Sequence, residues 1–122
     1  MVVWSQFRGE LIGPDGSVWG KGYSGAPFAR NNPDMQNQPN AGPIPRGGWT
    51  IGDPEDSPHT GPFTLPLMAA PETETFGRNL FRIHGDSAEH PGTASHGCII
   101  LPRPVRERIH RENTDRALLV IL

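Results

Sequence analysis

Cysteine is nearly absent from the sequence: one occurs among 122 residues, at position 98. A single thiol excludes an intramolecular disulfide, so the fold must be stable without covalent cross-links. Neither sign of charge dominates, with 11 basic and 13 acidic residues and a net charge of −2. Because these charges are interspersed, the composition gives no sign of a nucleic-acid surface or of a basic face for anionic membranes.

Long apolar runs are missing as well. No segment approaches the roughly 20 apolar residues of a membrane span. No N-terminal segment combines a basic region with an apolar core, so the sequence predicts no cleavable signal peptide. We therefore expect a protein that is made in the cytoplasm and does not insert into a membrane.

Glycine and proline are abundant instead, with 15 and 14 occurrences. Three tryptophans, five phenylalanines and several short apolar runs argue against disorder and favour a turn-rich, mostly β domain. At this length we expect one domain over residues 1–122.

Short strand patterns alternate with turn signals along the chain. Residues 10–19 predict a hairpin around the turn Gly13-Pro14-Asp15-Gly16. We expect an edge strand at 4–7, and a strand at 63–65 that ends at Pro66 or lies at an edge, because proline has no N–H for a ladder. Further strands are expected at 48–51, 79–84 and 117–122.

One helix and one long loop complete the prediction. The helix covers residues 103–112, where Pro104 suits the first turn and Val105 and Ile109 share a face. Residues 24–48 show neither helical nor strand periodicity. A loop of that length is uncommon in a compact domain, so it is interpreted either as a solvated surface loop or as a wall of a substrate groove.

The single cysteine has histidines near it. Cys98 follows Ser95-His96-Gly97, and His84 ends a strand-like segment earlier in the chain. The thiolate is the nucleophilic form, and a neighbouring histidine can take the thiol proton and hold an ion pair. His84 is a candidate base on a rigid strand, and His96 points to the same side as Cys98 in an extended chain.

The residues around Cys98 suit acyl transfer. Gly97 allows a close approach of backbone and substrate, and the N–H groups of Gly97 and Cys98 can form an oxyanion hole. Ser95, or a backbone carbonyl near Gly85, can hold the histidine in one tautomer.

Two alternatives use the same residues. A lone cysteine is often a buried, inert apolar residue. A zinc site from His84, His96, Cys98 and Asp86 is the other alternative, but these residues include no Cys-x-x-Cys pair and no clear fourth ligand.

At these residues the sequence resembles the L,D-transpeptidase (YkuD-type) family. The matching positions are His84-Gly85 and Ser95-His96-Gly97-Cys98-Ile99, and residues 42–51 resemble that family's glycine- and proline-rich strand start. The chain is most similar to the small L,D-transpeptidase-like effectors of type VI secretion systems. That similarity extends over residues 22–25, 32–33, 42–45, 76–78 and 83–86.

The resemblance implies a compact mixed β-sandwich with one short helix in the C-terminal half. It implies that Cys98 is the nucleophile and His84 the general base, with no metal and no cofactor. Gly97 and Cys98 would supply oxyanion N–H groups. The residues expected to position or bind substrate are His96, Ser95, Gly85, Asp86, Tyr23 and Arg82.

The implied function is that of an antibacterial effector with cysteine-dependent L,D-carboxypeptidase or L,D-transpeptidase activity, including D-amino-acid exchange. Its substrates would be tetrapeptide stems of peptidoglycan in the periplasm of a target cell. The implied partners are these stems, the type VI secretion machinery and a cognate immunity protein. The alternative is a catalytically inactive module that binds peptidoglycan or a partner through the same groove.

Overall fold

Ten strands and one α-helix make up the regular structure of residues 1–122, all of which a computed structural model describes. The strands are β1 (Val2–Ser5), β2 (Glu10–Ile12), β3 (Val18–Lys21), β4 (Tyr23–Ser24), β5 (Gly47–Ile51), β6 (Glu55–Ser57), β7 (Gly61–Ala69), β8 (Arg82–His84), β9 (Ile99–Ile100) and β10 (Ala117–Ile121). The helix α1 covers Arg103–Glu112, and a 3₁₀ turn covers Pro33–Met35. The predicted mostly β fold with one short helix in the C-terminal half is confirmed.

The strands form one mixed sheet in the order β3-β2-β1-β10-β5-β7-β8-β9-β4, and β6 pairs with β7. Strand β7 joins two halves of this sheet, since Leu67–Ala69 pair with β5 and Leu65 and Pro66 pair with β8. We call β1, β2, β3, β5 and β10 the terminal half, and β4, β8, β9 and their loops the cysteine half. Both halves contribute to a single core of 14 buried residues.

The expectation of an edge strand at residues 4–7 is wrong. Strand β1 begins at Val2, lies between β2 and β10, and buries Trp4 completely. Its parallel partner β10 comes from the other end of the chain. Local sequence contains no information about a partner so far away, so the strand could not be recognised as internal.

The expectation that a strand ends at Pro66, or lies at an edge there, is also wrong. Strand β7 continues through Pro66 and lies between β5 and β8. Pro66 stands where the ladder with β5 ends and the ladder with β8 begins, and its carbonyl accepts a bond from the Gly52 N–H (2.8 Å). At such a position the missing proline N–H removes only one terminal ladder bond.

Other local predictions are confirmed. The hairpin forms from β2 and β3, and α1 begins and ends at the predicted residues. Phe81 and Ile83 are buried and Leu80 is exposed. The strand predicted at 79–84 is shorter than expected and begins at Arg82, because Leu80 has a left-handed φ of +62° that a strand does not allow. No helix of the structure has the length and apolar character needed to cross a membrane.

Candidate active site

Cys98 immediately precedes β9, which runs parallel to β8. The register pairs Ile83 with Ile99 and therefore brings Cys98 opposite Arg82. Because side chains alternate along a strand, Cys98 and His84 lie on one face, and Ile83 and Ile99 fill the core from the other. The two adjacent strands thus bring the predicted nucleophile and the predicted base to the same side of the sheet.

The thiol of Cys98 is half-buried in the wall of a cavity of about 430 Å³. Its Sγ donates a long hydrogen bond to the Leu80 carbonyl (3.7 Å). His96 and Gly97 line the same cavity, and Asn40 of the long loop at 24–48 forms part of its wall. The cavity is therefore open to a ligand beside the thiol.

The imidazole of His84 is held in one tautomer. Its Nδ1 lies 2.9 Å from the Gly85 carbonyl, and a carbonyl only accepts, so Nδ1 carries the proton. Nε2 makes no hydrogen bond with the protein and is not enclosed, so its lone pair is free. His84 lines a second groove of about 360 Å³, whose other walls include Asp86 and Thr93. No hydrogen bond joins Cys98 to either His84 or His96.

Burial favours the neutral forms of both groups. Burial raises the pKa of the Cys98 thiol, and this effect exceeds the lowering by the backbone N–H of Arg82 and by the charges of Arg82 and Arg78. Burial also lowers the pKa of His84. The charges of Arg106 and Arg82 lower it further, whereas the hydrogen bond to the Gly85 carbonyl raises it. The resting site therefore holds a neutral thiol and a neutral imidazole at neutral pH, rather than an ion pair.

Ser95 fixes the backbone on both sides of the nucleophile. Its buried Oγ accepts from the N–H groups of Gly25 (2.9 Å) and Gly97 (3.1 Å) and donates to the Cys98 carbonyl (2.6 Å). The Gly97 N–H is thus engaged, whereas the Cys98 N–H has no acceptor in the protein. Of the two predicted oxyanion donors, only that of Cys98 is free in the resting structure. Ser95 makes no hydrogen bond with His84.

Ser24 is a second buried hydroxyl in this network, and the sequence did not single it out. It donates to the Gly97 carbonyl (2.9 Å) and accepts from the Ile44 N–H (2.9 Å). Together with Ser95 it anchors Gly97. The only signal in the sequence was its place in the segment 22–25, which resembles the effector family.

Arg78, in the loop before β8, also fixes the backbone around the cavity. Its guanidinium donates to the carbonyls of Gly42 (2.8 Å), Pro43 (2.9 Å), His96 (3.3 Å) and Gln36. It therefore ties the long loop to the segment that carries Cys98, and its charge lies in the wall of the cavity.

Tyr23 and Asp86 form a hydrogen-bonded pair that holds together the two ends of the segment 86–94, between β8 and β9. The Tyr23 hydroxyl donates to Asp86 Oδ1 (2.6 Å) and accepts from the Ala94 N–H (3.0 Å). Asp86 also accepts from the N–H groups of Ser87 and Gly92. Burial, with Asp86, raises the pKa of Tyr23 to about 12. Both predicted substrate-binding groups thus have internal partners, and Asp86 lies in the wall of the His84 groove.

The remaining predicted residues differ in what they offer a ligand. Arg82 is half-buried, and its guanidinium makes no hydrogen bond or ion pair with the protein. Gly85 lies against Arg106, since a Cβ at Gly85 would stand 3.1 Å from Nη1. His96 is exposed. Their contacts with substrate stay predictions.

The zinc alternative lacks a set of ligands. No three or more histidine, cysteine or acidic side chains come together in a group that could hold a metal ion.

Comparison with known sequences adds a family. The family described as the Tlde1 domain matches residues 20–121, a stretch that includes every residue of the site. No curated protein and no solved structure matches the chain.

Proposed function

The chain belongs to the Tlde1 domain family of type VI secretion L,D-transpeptidase effectors, and from this premise we propose that it is a cysteine enzyme of peptidoglycan tetrapeptide stems. Its activities are L,D-carboxypeptidase cleavage and D-amino-acid exchange, on a YkuD-type site. One observation carries the proposal. The thiol of Cys98 opens on a cavity, on the same sheet face as His84, whose Nε2 is free to accept a proton.

In the proposed reaction Cys98 Sγ attacks the carbonyl between stem residues three and four. His84 Nε2 takes the thiol proton and then gives it to the leaving amine, so that D-alanine departs and a thioester remains. Water hydrolyses the thioester to a carboxylate, whereas the amine of a free D-amino acid attacks it and forms a new amide. Both steps regenerate the Cys98 thiol. Because the resting thiol is neutral, deprotonation accompanies attack, which is general-base catalysis rather than use of a preformed thiolate.

The step requires a movement of the thiol. In the resting structure Cys98 Sγ donates to Leu80, so the thiol must turn toward His84, or one water must relay the proton. Catalytic hydrogen bonds are often long before substrate binds. The free Cys98 N–H is the donor we assign to the developing oxyanion, where a bond in a water-poor site contributes most.

The segment at 86–94 supports our proposal of a small acceptor. Tyr23 and Asp86 hold this segment down over the His84 side of the site, which favours water and free D-amino acids over a second stem as acceptors. Trimmed stems are poor donors for wall cross-linking, so delivery into a target cell's periplasm would be toxic there. A producing cell would need an immunity protein, which we place over the Cys98 cavity.

A second candidate function is a catalytically inactive module that binds peptidoglycan or a partner. It is favoured by the raised pKa of the Cys98 thiol and by the absence of a Cys98–His84 hydrogen bond. Such a module would keep its binding and its effect in cells when Cys98 is replaced by alanine, whereas the enzyme would lose its effect.

The test is incubation of the purified, reduced protein with tetrapeptide muropeptides, with and without a free D-amino acid, read by mass spectrometry. We expect loss or exchange of the terminal D-alanine, abolished by Cys98→Ala. Unchanged muropeptides in the presence of folded protein would refute the enzyme and leave the binding module.

A further inference from the structure

Three arginines around the candidate site have no acidic partner. The protein forms six ion pairs, and none of them includes Arg78, Arg82 or Arg106. The charges of all three nevertheless act on the pKa of Cys98 or His84. A protein with a net charge of −2 thus has a locally positive site, which favours an anionic ligand.

Two of these guanidinium groups are engaged with the protein backbone. Arg78 donates to four carbonyls, as described above. Arg106 is buried and donates to the carbonyls of Leu101 (2.6 Å), Phe63 (3.0 Å) and Pro62 (3.2 Å). Both side chains are fixed, and most of their donors are used. They contribute charge to the site, but their geometry is set by the fold.

Arg82 differs from them in its free donors. Its guanidinium makes no hydrogen bond within the protein, so all five N–H groups are available to a ligand. Its backbone lies in β8, opposite Cys98 and two residues before His84. Since Ile83 between them is buried, Arg82 and His84 project from the same face of the strand. A half-buried arginine without a protein partner therefore lies on the same face of the sheet as the two groups that would perform the reaction, and its charge acts on the pKa of both.

We propose that Arg82 binds the terminal carboxylate of the leaving D-residue and thereby selects stems that end at residue four with a free acid. The proposal rests on the proposed function. A guanidinium and a carboxylate form two parallel, charge-assisted hydrogen bonds. A carboxamide at the same place offers one acceptor oxygen and turns N–H donors toward a cation, so an amidated or extended stem loses this contact.

The experiment compares two synthetic tetrapeptide stems, one a free acid and one a C-terminal amide, with the same scissile bond. We expect the wild type to prefer the acid by roughly 30-fold in kcat/KM, mostly through KM, because the contact exists before the reaction. In Arg82→Gln, kcat/KM for the acid should fall by this factor and kcat/KM for the amide should not change. Arg82→Lys should retain part of the preference for the acid.

Arg8→Gln is the matched control. Arg8 also lacks an ion pair and is exposed, but it lines a separate cavity with Phe7, Val18 and Leu122. The Arg8→Gln substitution removes the same charge from the protein and should leave kcat/KM unchanged for both the acid and the amide. Equal wild-type rates on acid and amide, or an equal loss on both in Arg82→Gln, would overturn the proposal.

Binding separates this proposal from the proposed function. In Cys98→Ala, calorimetric titration with the acid and the amide should still show the preference for the acid, and Arg82→Gln in that background should remove it. If neither peptide is turned over by the wild type, the proposed enzyme fails while this binding preference still decides the role of Arg82. Equal affinity for both peptides would overturn that role.

Discussion

The two halves of the sheet are held together by different interactions. In the terminal half, β1 pairs with β10 over four residues and β10 pairs with β5 over four. In the cysteine half, β4 and β9 have two residues each. There the backbone is held by side chains, chiefly Ser24, Ser95 and Arg78. Side-chain bonds position single atoms, so substitutions in the cysteine half should affect the site, and those in the terminal half should affect only stability.

The largest effect is expected for Gly97→Ala. Gly97 has φ +147°, and a Cβ there would stand 2.6 Å from Nη2 of Arg78, whose guanidinium is fixed by bonds to four carbonyls. We expect a loss of roughly 4 kcal/mol of unfolding free energy from backbone strain and overlap together. Chemical denaturation measures it, and the D-alanine release assay should show activity lost.

Gly16→Ala is its control in the terminal half. Gly16 also has a left-handed φ of +86°, but nothing lies within 4 Å of a Cβ built there. We expect about 1 kcal/mol of destabilisation and unchanged activity. A Gly97→Ala protein as stable as Gly16→Ala would show that Arg78 is not rigid.

Leu118→Ala should separate stability from function. Leu118 is buried in β10 and belongs to the core, and truncation there costs about 3 kcal/mol. Activity measured well below the melting temperature should not change. Leu119→Ala, on the half-buried face of the same strand, is the milder control. A fall in kcat for Leu118→Ala at low temperature would mean that the halves are coupled.

Ser95→Ala should destabilise by about 2 kcal/mol, because two buried N–H groups, of Gly25 and Gly97, lose their acceptor. Activity should fall as the Cys98 carbonyl is released. Ser17→Ala removes an exposed hydroxyl that bonds to Asp15 and should change stability by less than about 0.5 kcal/mol. Higher activity in Ser95→Ala would instead indicate that the freed Gly97 N–H acts as an oxyanion donor.

Tyr23→Phe should cost about 1 kcal/mol, since the hydroxyl joins Asp86 to the Ala94 N–H. Its main effect should be local. Hydrogen exchange read by mass spectrometry should become faster at 86–94 and stay unchanged in the β2–β3 hairpin. Unchanged exchange at 86–94 would mean that the other bonds of Asp86 are sufficient to close the segment.

The smallest expected effect is a displaced pH profile. The pKa of His84 lies below its ordinary 6.5, so the imidazole stays a base at pH 6.5, and activity should fall only as pH decreases through the lower, folded pKa. The folding stability that depends on the neutral imidazole is likewise fully present above pH 6.5. It is lost as the pH falls from 6.5 through the lower pKa of the folded state. Burial raises the pKa of the Cys98 thiol above its ordinary value, so iodoacetamide alkylation should still be rising at pH 9.

A plateau of alkylation near pH 7 would contradict this resting state and indicate a thiolate–imidazolium pair. His84→Ala is the informative variant, because it would remove such a plateau but leave a neutral-thiol profile unchanged.

Local patterns predicted much of the fold. Alternation gave the faces of Phe81 and Ile83, and helical spacing gave α1 with both ends. The β1–β10 pairing was missed because its partners are remote in sequence. The short strand β6 was missed because its residues are polar and hydrogen-bond at the margin of the sheet.

The candidate site was likewise predicted only in part. Cys98 and His84 have distinctive chemistry and neighbours, so the sequence singled them out. Arg78 and Ser24 act through carbonyl and N–H groups that tertiary packing brings to them. A loop arginine and a small hydroxyl residue look alike in a sequence whether or not they have such partners.

The parallel pairing of β1 with β10 also has a kinetic consequence. Val2 pairs with Leu118, so this ladder closes a loop that contains almost the whole chain, and such non-local pairings slow folding. Until residues 117–121 arrive, β1 has β2 as its only neighbour, and β5 lacks its second partner. We therefore expect the middle of the sheet, rather than an edge, to be the last part to form.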